Sequence, residues 1–465
     1  MEPRAVVHPT LGTGKLLRTY MGGYEWEVEF GSGRRFRLPR REFEGQQERP
    51  VASAAPVPVR PARTDLRDDD RHRAQQTLET LRLGIVSPRD VETLTIGLEA
   101  EGVSLDRALA RGRERGGDVL ALIGDYGFGK SHFVEIAARR ALRSNMLVAG
   151  ASLDLVETPP GKAREIYRAL AHGLRYPDTD ERGLGPLLKK ALDTPGVVER
   201  ITAASPIPER CPLARTLTAL EACGGQAAYD DIVEWISAGM QPTPALRACY
   251  KKPPTLWTSG EVARQYSYLL TGLSTLAVAV GYGGMAVLID ESEHYSLLRG
   301  AQRGRADAFF KALIYAALGP ANGRIDPLTI PDHNRVDYPI AFSSEPGLFF
   351  MFALTDGDDR MPVEAWLAPS QIIRLDDRFI ERDIHRFFGT LLRYHALAYD
   401  YTPDAARHDE VEATVPALLS RALSQHRVNL RGVIRLTVTC CDLLYLHDDY
   451  SAETLIGELR RGLGG

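Results

Sequence analysis

Cysteine, tryptophan and methionine are scarce in this sequence, and neither charge sign predominates. The five cysteines, Cys211, Cys223, Cys249, Cys440 and Cys441, have spacings that match no zinc pattern, which leaves reduced thiols in a cytosolic protein. Met1-Glu2-Pro3-Arg4 lacks the apolar run of a secretory signal. The most apolar stretch, residues 269–289, carries four glycines and ends before a carboxylate pair. It reads as a helix followed by a buried strand, not as a membrane span. With 57 basic and 61 acidic residues the net charge is −4, so the chain as a whole does not announce a nucleic-acid partner. What is present is enough apolar content, 44% of 465 residues, for a sizeable core and about three domains.

Residues 1–45 read as a small all-β module. Tyr24, Trp26, Val28 and Phe30 alternate with glutamates, Gly31-Ser32-Gly33 supplies a turn, and residues 34–38 return as a partner strand. Val6-Val7-His8-Pro9 and Gly14-Lys15-Leu16-Leu17 suggest two more strands, which together make a barrel of four or five strands. Residues 46–73 read as a proline- and alanine-rich linker ending in Asp68-Asp69-Asp70-Arg71. A helix restarts near Arg73, with Ala74, Leu78, Leu81 and Ile85 on one face, and Ser87-Pro88 ends it. Buried strands are expected at 119–123, 146–155, 285–289, 348–354 and 371–375, with a helical insertion at about 160–278 and helices from 377 to 465. Strands alternating with helices imply an α/β fold with a parallel sheet, core residues 74–376, and a helical C-terminal segment.

Gly124-Asp125-Tyr126-Gly127-Phe128-Gly129-Lys130-Ser131 matches G-x-x-x-x-G-K-[ST] in full, and His132 follows. Glycines let successive N–H groups turn inward around phosphates, lysine reaches the β- and γ-phosphates, and the Ser131 hydroxyl suits Mg²⁺. A buried strand before the loop and a helix after it supply the required context, and the helix points its positive end at the anion. Gly12-Thr13-Gly14-Lys15 is a decoy: Leu16 stands in the hydroxyl position.

Residues 285–291, Met-Ala-Val-Leu-Ile-Asp-Glu, form an apolar strand ending in two carboxylates. Asp290 suits Mg²⁺ and Glu291 suits a general base for the attacking water. A solvated acidic turn would look the same in isolation. Thr355, at the end of the fourth strand, is a candidate for sensing the terminal phosphate or holding water, although polar strand ends are common. Arg431 opens a C-terminal helix after Asn429-Leu430 and could reach the phosphates or simply face solvent. Arg299, Arg303 and Arg305 are candidates for a finger on a neighbouring subunit.

Residues 124–133, with Leu81-Arg82-Leu83-Gly84, residues 153–167, Trp235-Ile236-Ser237-Ala238-Gly239 and Leu288-Ile289-Asp290-Glu291, resemble the ATP-binding proteins of BREX phage-defence systems, particularly the BrxD-like group. The resemblance covers roughly residues 75–440. It implies an AAA-like ATPase with strand order 5-1-4-3-2 and a C-terminal helical lid. Lys130 and Ser131 would then be nucleotide residues, Asp290 the magnesium residue and Glu291 the catalytic one. It also implies ATP and Mg²⁺ as cofactors, oligomers, a cytoplasmic setting in an anti-phage system, and a helicase-like partner acting on DNA. The N-terminal module departs from the simplest form of that family and is similar to small SH3- or Tudor-like barrels. Its Arg34, Arg35, Arg37, Arg40 and Arg41 could contact nucleic acid, line a solvated edge strand, or accompany a protein-docking role.

Overall fold

The computed structural model describes residues 5–8, 12–20, 25–30, 35–39 and 66–462, apart from 224, 251–252, 257–261, 332–336, 358, 376–380, 403, 426 and 448. The chain divides into two compact units, residues 1–65 and 66–465. The linker composition of residues 46–65, the turn at 31–34 and Arg34, Arg40 and Arg41 lie outside the described residues.

In the first unit β1 (Ala5–His8), β2 (Gly12–Tyr20), β3 (Glu25–Phe30) and β4 (Arg35–Pro39) form an antiparallel sheet in chain order. The expected alternation is visible where side chains are described: Val28 and Phe30 are buried, and Glu27 and Glu29 are half-buried. Gly14 is required by close packing, because a Cβ there would stand 2.4 Å from Val28 Cγ1. Among the described residues β1 and β4 pair with one neighbour each, so what is seen is a four-stranded meander, and closure into the expected barrel is not shown by them.

The second unit opens with α1 (Leu66–Arg82), which starts inside the stretch read as linker. Asp68, Asp69 and Asp70 occupy its first turns, where the positive end of the helix favours carboxylates. It also ends earlier than expected. Gly84 takes φ +73°, and Ile85, assigned to the apolar face, lies beyond the helix and is exposed.

A five-stranded sheet follows, made of β5 (Gly117–Gly124), β6 (Leu147–Ser152), β7 (Met285–Asp290), β8 (Leu348–Leu354) and β9 (Ile372–Leu375). Its order is β6-β7-β8-β5-β9 and every pairing is parallel. Counted within this sheet alone, that is the 5-1-4-3-2 arrangement. The three central strands, β7, β8 and β5, are apolar because both faces are covered. Val119, Ala121 and Ile123 of β5 face one core and Leu120 and Leu122 face another. The second of these cores is completed by α2 (Glu99–Glu114) and α3 (Lys130–Arg143), whose Phe133, Ile136, Ala137 and Ala141 form the buried stripe. On the other face lie α4 (Ala163–His172), α5 (Gly185–Leu192), α6 (Val197–Ala204), α7 (Pro212–Glu221), α8 (Gln226–Ile236), α9 (Pro244–Cys249), α10 (Ala263–Ala279) and α11 (Gly300–Leu318). The short α12 (Val363–Trp366) precedes β9. Then α13 (Glu381–Tyr399), α14 (Ala405–Ser424), α15 (Leu430–Leu446) and α16 (Ala452–Gly462) share a third core. No helix among the described residues is long and apolar enough to cross a membrane.

Candidate functional site

Parallel strands deliver their carboxyl ends to one edge, and the sequence-predicted residues sit on that edge. The glycine loop leaves β5, Asp290 ends β7, and Thr355 follows β8. Register does the rest. Ile123 pairs with Leu354, so the first loop residue and Thr355 come next to each other.

The loop has the backbone that its glycines permit: Gly127 takes φ +88° and Gly129 φ +85°. A Cβ on Gly127 would press on Asn429 Nδ2 at 3.3 Å. Gly129 caps α3 and Lys130 is its first residue, so the helix presents unpaired N–H groups to the loop's interior. Lys130 is buried, with only 7% of the residue exposed. It donates to Gly124 O at 2.9 Å, Asp125 O at 3.1 Å and Thr355 Oγ1 at 2.9 Å.

On the neighbouring strand end Asp290 is half-buried, and its Oδ1 accepts the Glu291 N–H at 2.8 Å. Glu291 takes φ +55°, a costly conformation for a residue with a side chain, and its carboxylate is exposed. Ser152, at the end of β6 and paired in register with Asp290, donates from Oγ to Glu291 Oε2 at 3.0 Å. Ser152 was not legible as a site residue, because only the strand order puts it beside the acidic pair.

A cavity of about 360 Å³ joins these parts. Tyr126, Gly127, Gly129, Lys130, Ser131, His132, Asp290 and Glu291 line one side. The other side is apolar and comes from two places the sequence did not connect: Ile85, Val86, Pro88, Leu94 and Ile96 after α1, and Leu430 and Ile434 of α15. Arg431 stands on this second side with its guanidinium over the Tyr126 ring and Nη1 at 3.4 Å from the Tyr126 hydroxyl. Asn429 caps α15 by accepting from Gly432 N at 2.9 Å, which fixes where Arg431 begins.

His132 is held by Thr95. The Thr95 hydroxyl donates to Val91 O at 2.5 Å, so its oxygen accepts from His132 Nε2–H at 2.9 Å and Nδ1 is left as an acceptor. Withdrawal from water pushes this imidazole down to about 4 from 6.5. Between those values the unfolded chain binds a proton that the folded chain refuses. The contribution of His132 to stability is therefore complete above pH 6.5 and is lost as pH falls towards 4. His132→Gln flattens that part of the acid limb in urea unfolding measured against pH. An unchanged limb would mean that the ring is solvated in the fold.

The three finger candidates do not line the cavity. Arg299 and Arg303 lie 3.8 and 3.7 Å from Asp359 of their own chain, and Arg303 also donates to Tyr295 Oη at 3.2 Å. No group of three or more His, Cys, Asp or Glu side chains is placed to hold a metal by itself among the described residues. A Ser131 hydroxyl and the Asp290 carboxylate still suit Mg²⁺, which keeps several waters and takes its other ligands from phosphates.

The second unit is thus an α/β fold whose parallel sheet carries a strand–glycine loop–helix at its edge. Over residues 70–204 the chain matches the family model described as BREX system ATP-binding protein BrxC/D. The match takes in most of α1, the glycine loop and β6, and stops before the acidic strand end. No curated protein matches the chain.

Proposed function

We propose that this chain binds ATP with Mg²⁺ and hydrolyses it, as an AAA-like ATPase of a bacterial BREX-type anti-phage system. The observation that carries this reading is the convergence of Lys130, Ser131, Asp290, Glu291 and an apolar wall on one cavity. The triphosphate would lie in the loop over the α3 N-terminus, and the base against Ile85, Leu94 and Ile434. Mg²⁺ would be held by Ser131 and Asp290 and would supply charge neutralisation between the phosphates. Lys130 would turn its donors from the loop carbonyls and Thr355 to phosphate oxygens. Glu291 would take a proton from the attacking water. Helices α13–α16 act as the lid, and a homo-oligomer working with a helicase-like partner on DNA in the cytoplasm is the setting.

A second reading is a nucleotide-dependent switch that assembles a complex and barely turns over. The Ser152–Glu291 hydrogen bond favours it, because it occupies one oxygen of the base. ATP turnover and particle mass of the purified chain, with and without duplex DNA, separate the two. Phosphate release well above that of Glu291→Gln supports the enzyme, and release no faster than that variant supports the switch.

For the first unit the proposal is a separate SH3- or Tudor-like module, tethered by the segment before α1, that touches DNA or a protein partner. Arg35 pairs with Glu29 at 2.8 Å, and Arg37 lies opposite Glu27 in register. The strand's positive charge is thus partly offset by its neighbour, which favours protein docking over strong phosphate binding. Removing residues 1–45 leaves basal ATP turnover largely intact, since on this proposal the linker decouples the module from the ATPase. A collapse of turnover would show that the module is part of the catalytic unit.

A further inference from the structure

Helix α1 precedes the sheet in sequence but does not belong to its cores. Ala74, Leu78 and Leu81 are buried with Phe388, Val415 and Val438 of α13, α14 and α15. Leu94 and Ile96, which wall the cavity, join the same core, while Val91, just before them in the chain, belongs with the helices on the sheet. The cavity therefore has a phosphate-loop side built on the sheet and an apolar side built on the C-terminal helices together with α1.

Apolar packing alone fixes the register of one helix on another loosely, and here a polar lock is added. Arg82, the last residue of α1, grips Asp442 of α15 with both ends of its fork: Nη2 to Oδ1 at 2.6 Å and Nε to Oδ2 at 3.0 Å. Arg82 Nη2 also donates to Tyr399 Oη at 2.7 Å. Asp442 Oδ1 is in turn 3.0 Å from Nε2 of the fully buried His395, whose Nδ1 lies 3.1 Å from the Tyr401 hydroxyl. Two residues after Arg82, Gly84 turns under Arg431. A Cβ at Gly84 would stand 2.2 Å from Arg431 Cγ. Arg431 and Asp442 are on the same helix, about three turns apart. The chain from Arg82 to Gly84 thus touches α15 at two points, one of them the arginine over the cavity mouth. Neither Arg82 nor Asp442 lines the cavity itself.

We propose that Arg82 and Asp442 are positioning residues for the nucleotide site: their pair fixes α15 along its axis against residues 82–84 and so sets where Arg431 stands beside Tyr126. This rests on the nucleotide reading above. It makes the junction after α1 part of the lid's machinery, with Gly84 as the bearing.

The test uses the full chain, a fluorescent ATP analogue for affinity, and hydrogen exchange of the nucleotide-free protein. Arg82→Ala weakens binding about tenfold, within the usual range of coupling between sites. Gly84→Ala does the same by displacing Arg431 while leaving the ion pair intact. Arg82→Ala combined with Arg431→Ala binds no worse than Arg431→Ala alone, because one residue acts through the other. Exchange in Arg82→Ala rises in residues 429–436 and stays unchanged in β7. Wild-type affinity in Arg82→Ala, or losses that multiply in the double variant, overturn the proposal. Should Arg82→Ala not fold, Arg82→Lys and Asp442→Asn decide by the same two criteria. If wild type and Lys130→Ala both fail to bind the analogue, the nucleotide reading itself falls, and the exchange experiment still reports whether the pair places α15.

Discussion

Lys130→Ala abolishes most of the rise in melting temperature that ATP with Mg²⁺ gives the wild-type chain. The ammonium donates to two loop carbonyls and one hydroxyl, three neutral acceptors. Exchanging them for phosphate oxygens makes charge-assisted bonds at little cost in desolvation, since the group is already buried. Such bonds are worth roughly 1.5–3 kcal/mol, or about ten- to a hundredfold in affinity. Ligand at a hundred times the wild-type Kd stabilises by about 2.7 kcal/mol, and a hundredfold loss leaves only about 0.4 kcal/mol of that. The variant also strips donors from the Gly124 and Asp125 carbonyls, so its ligand-free melting temperature falls as well. The quantity to compare is the ligand-dependent shift measured against each protein's own baseline. A shift equal to wild type would place the phosphates somewhere other than this loop.

Much of this architecture was legible because burial on both faces leaves a simple mark. The runs before Gly124 and Asp290, and residues 348–354, are apolar throughout, and each became a strand of the parallel sheet within two residues of its expected bounds. The glycine loop was legible because few other uses require its residue types at its spacing. The edges of helices were harder to place. Asp68-Asp69-Asp70 looks like linker charge until the carboxylates are counted as favourable company for a helix start. Ile85 continues the apolar period of α1, but Gly84 turns the chain first and sends it to the cavity wall. Ser152 and Arg82 were beyond reach for a different reason. Their partners, Glu291 and Asp442, are far along the chain, and one serine or arginine carries no pattern of its own. The six-helix stretch from α4 to α9 read only as helical, because helices this short are hard to tell apart by period alone and are held by packing on their neighbours.

Glu291→Gln lowers ATP turnover by about a hundredfold or more while leaving ATP affinity near wild type, as expected for loss of a general base worth roughly 10²–10⁴ in rate. The amide keeps the shape and the Ser152 contact but cannot accept the proton. Asp290→Ala behaves differently, because it weakens the Mg²⁺-dependent part of binding as well as the rate. The companion variant, Ser152→Ala, decides what the 3.0 Å hydrogen bond to Glu291 does. Glu291 is exposed and stands at φ +55°, so the strand end alone does not hold its carboxylate in one place. If Ser152 restrains the base away from water, its removal raises basal turnover and reduces any stimulation by DNA or a partner. If Ser152 instead aims the base, turnover falls in step with the loss of orientation. Turnover unchanged in Glu291→Gln would remove this residue from the chemistry altogether. The acidic strand end would then be left with metal binding, and the nucleotide would act by occupancy and not by hydrolysis.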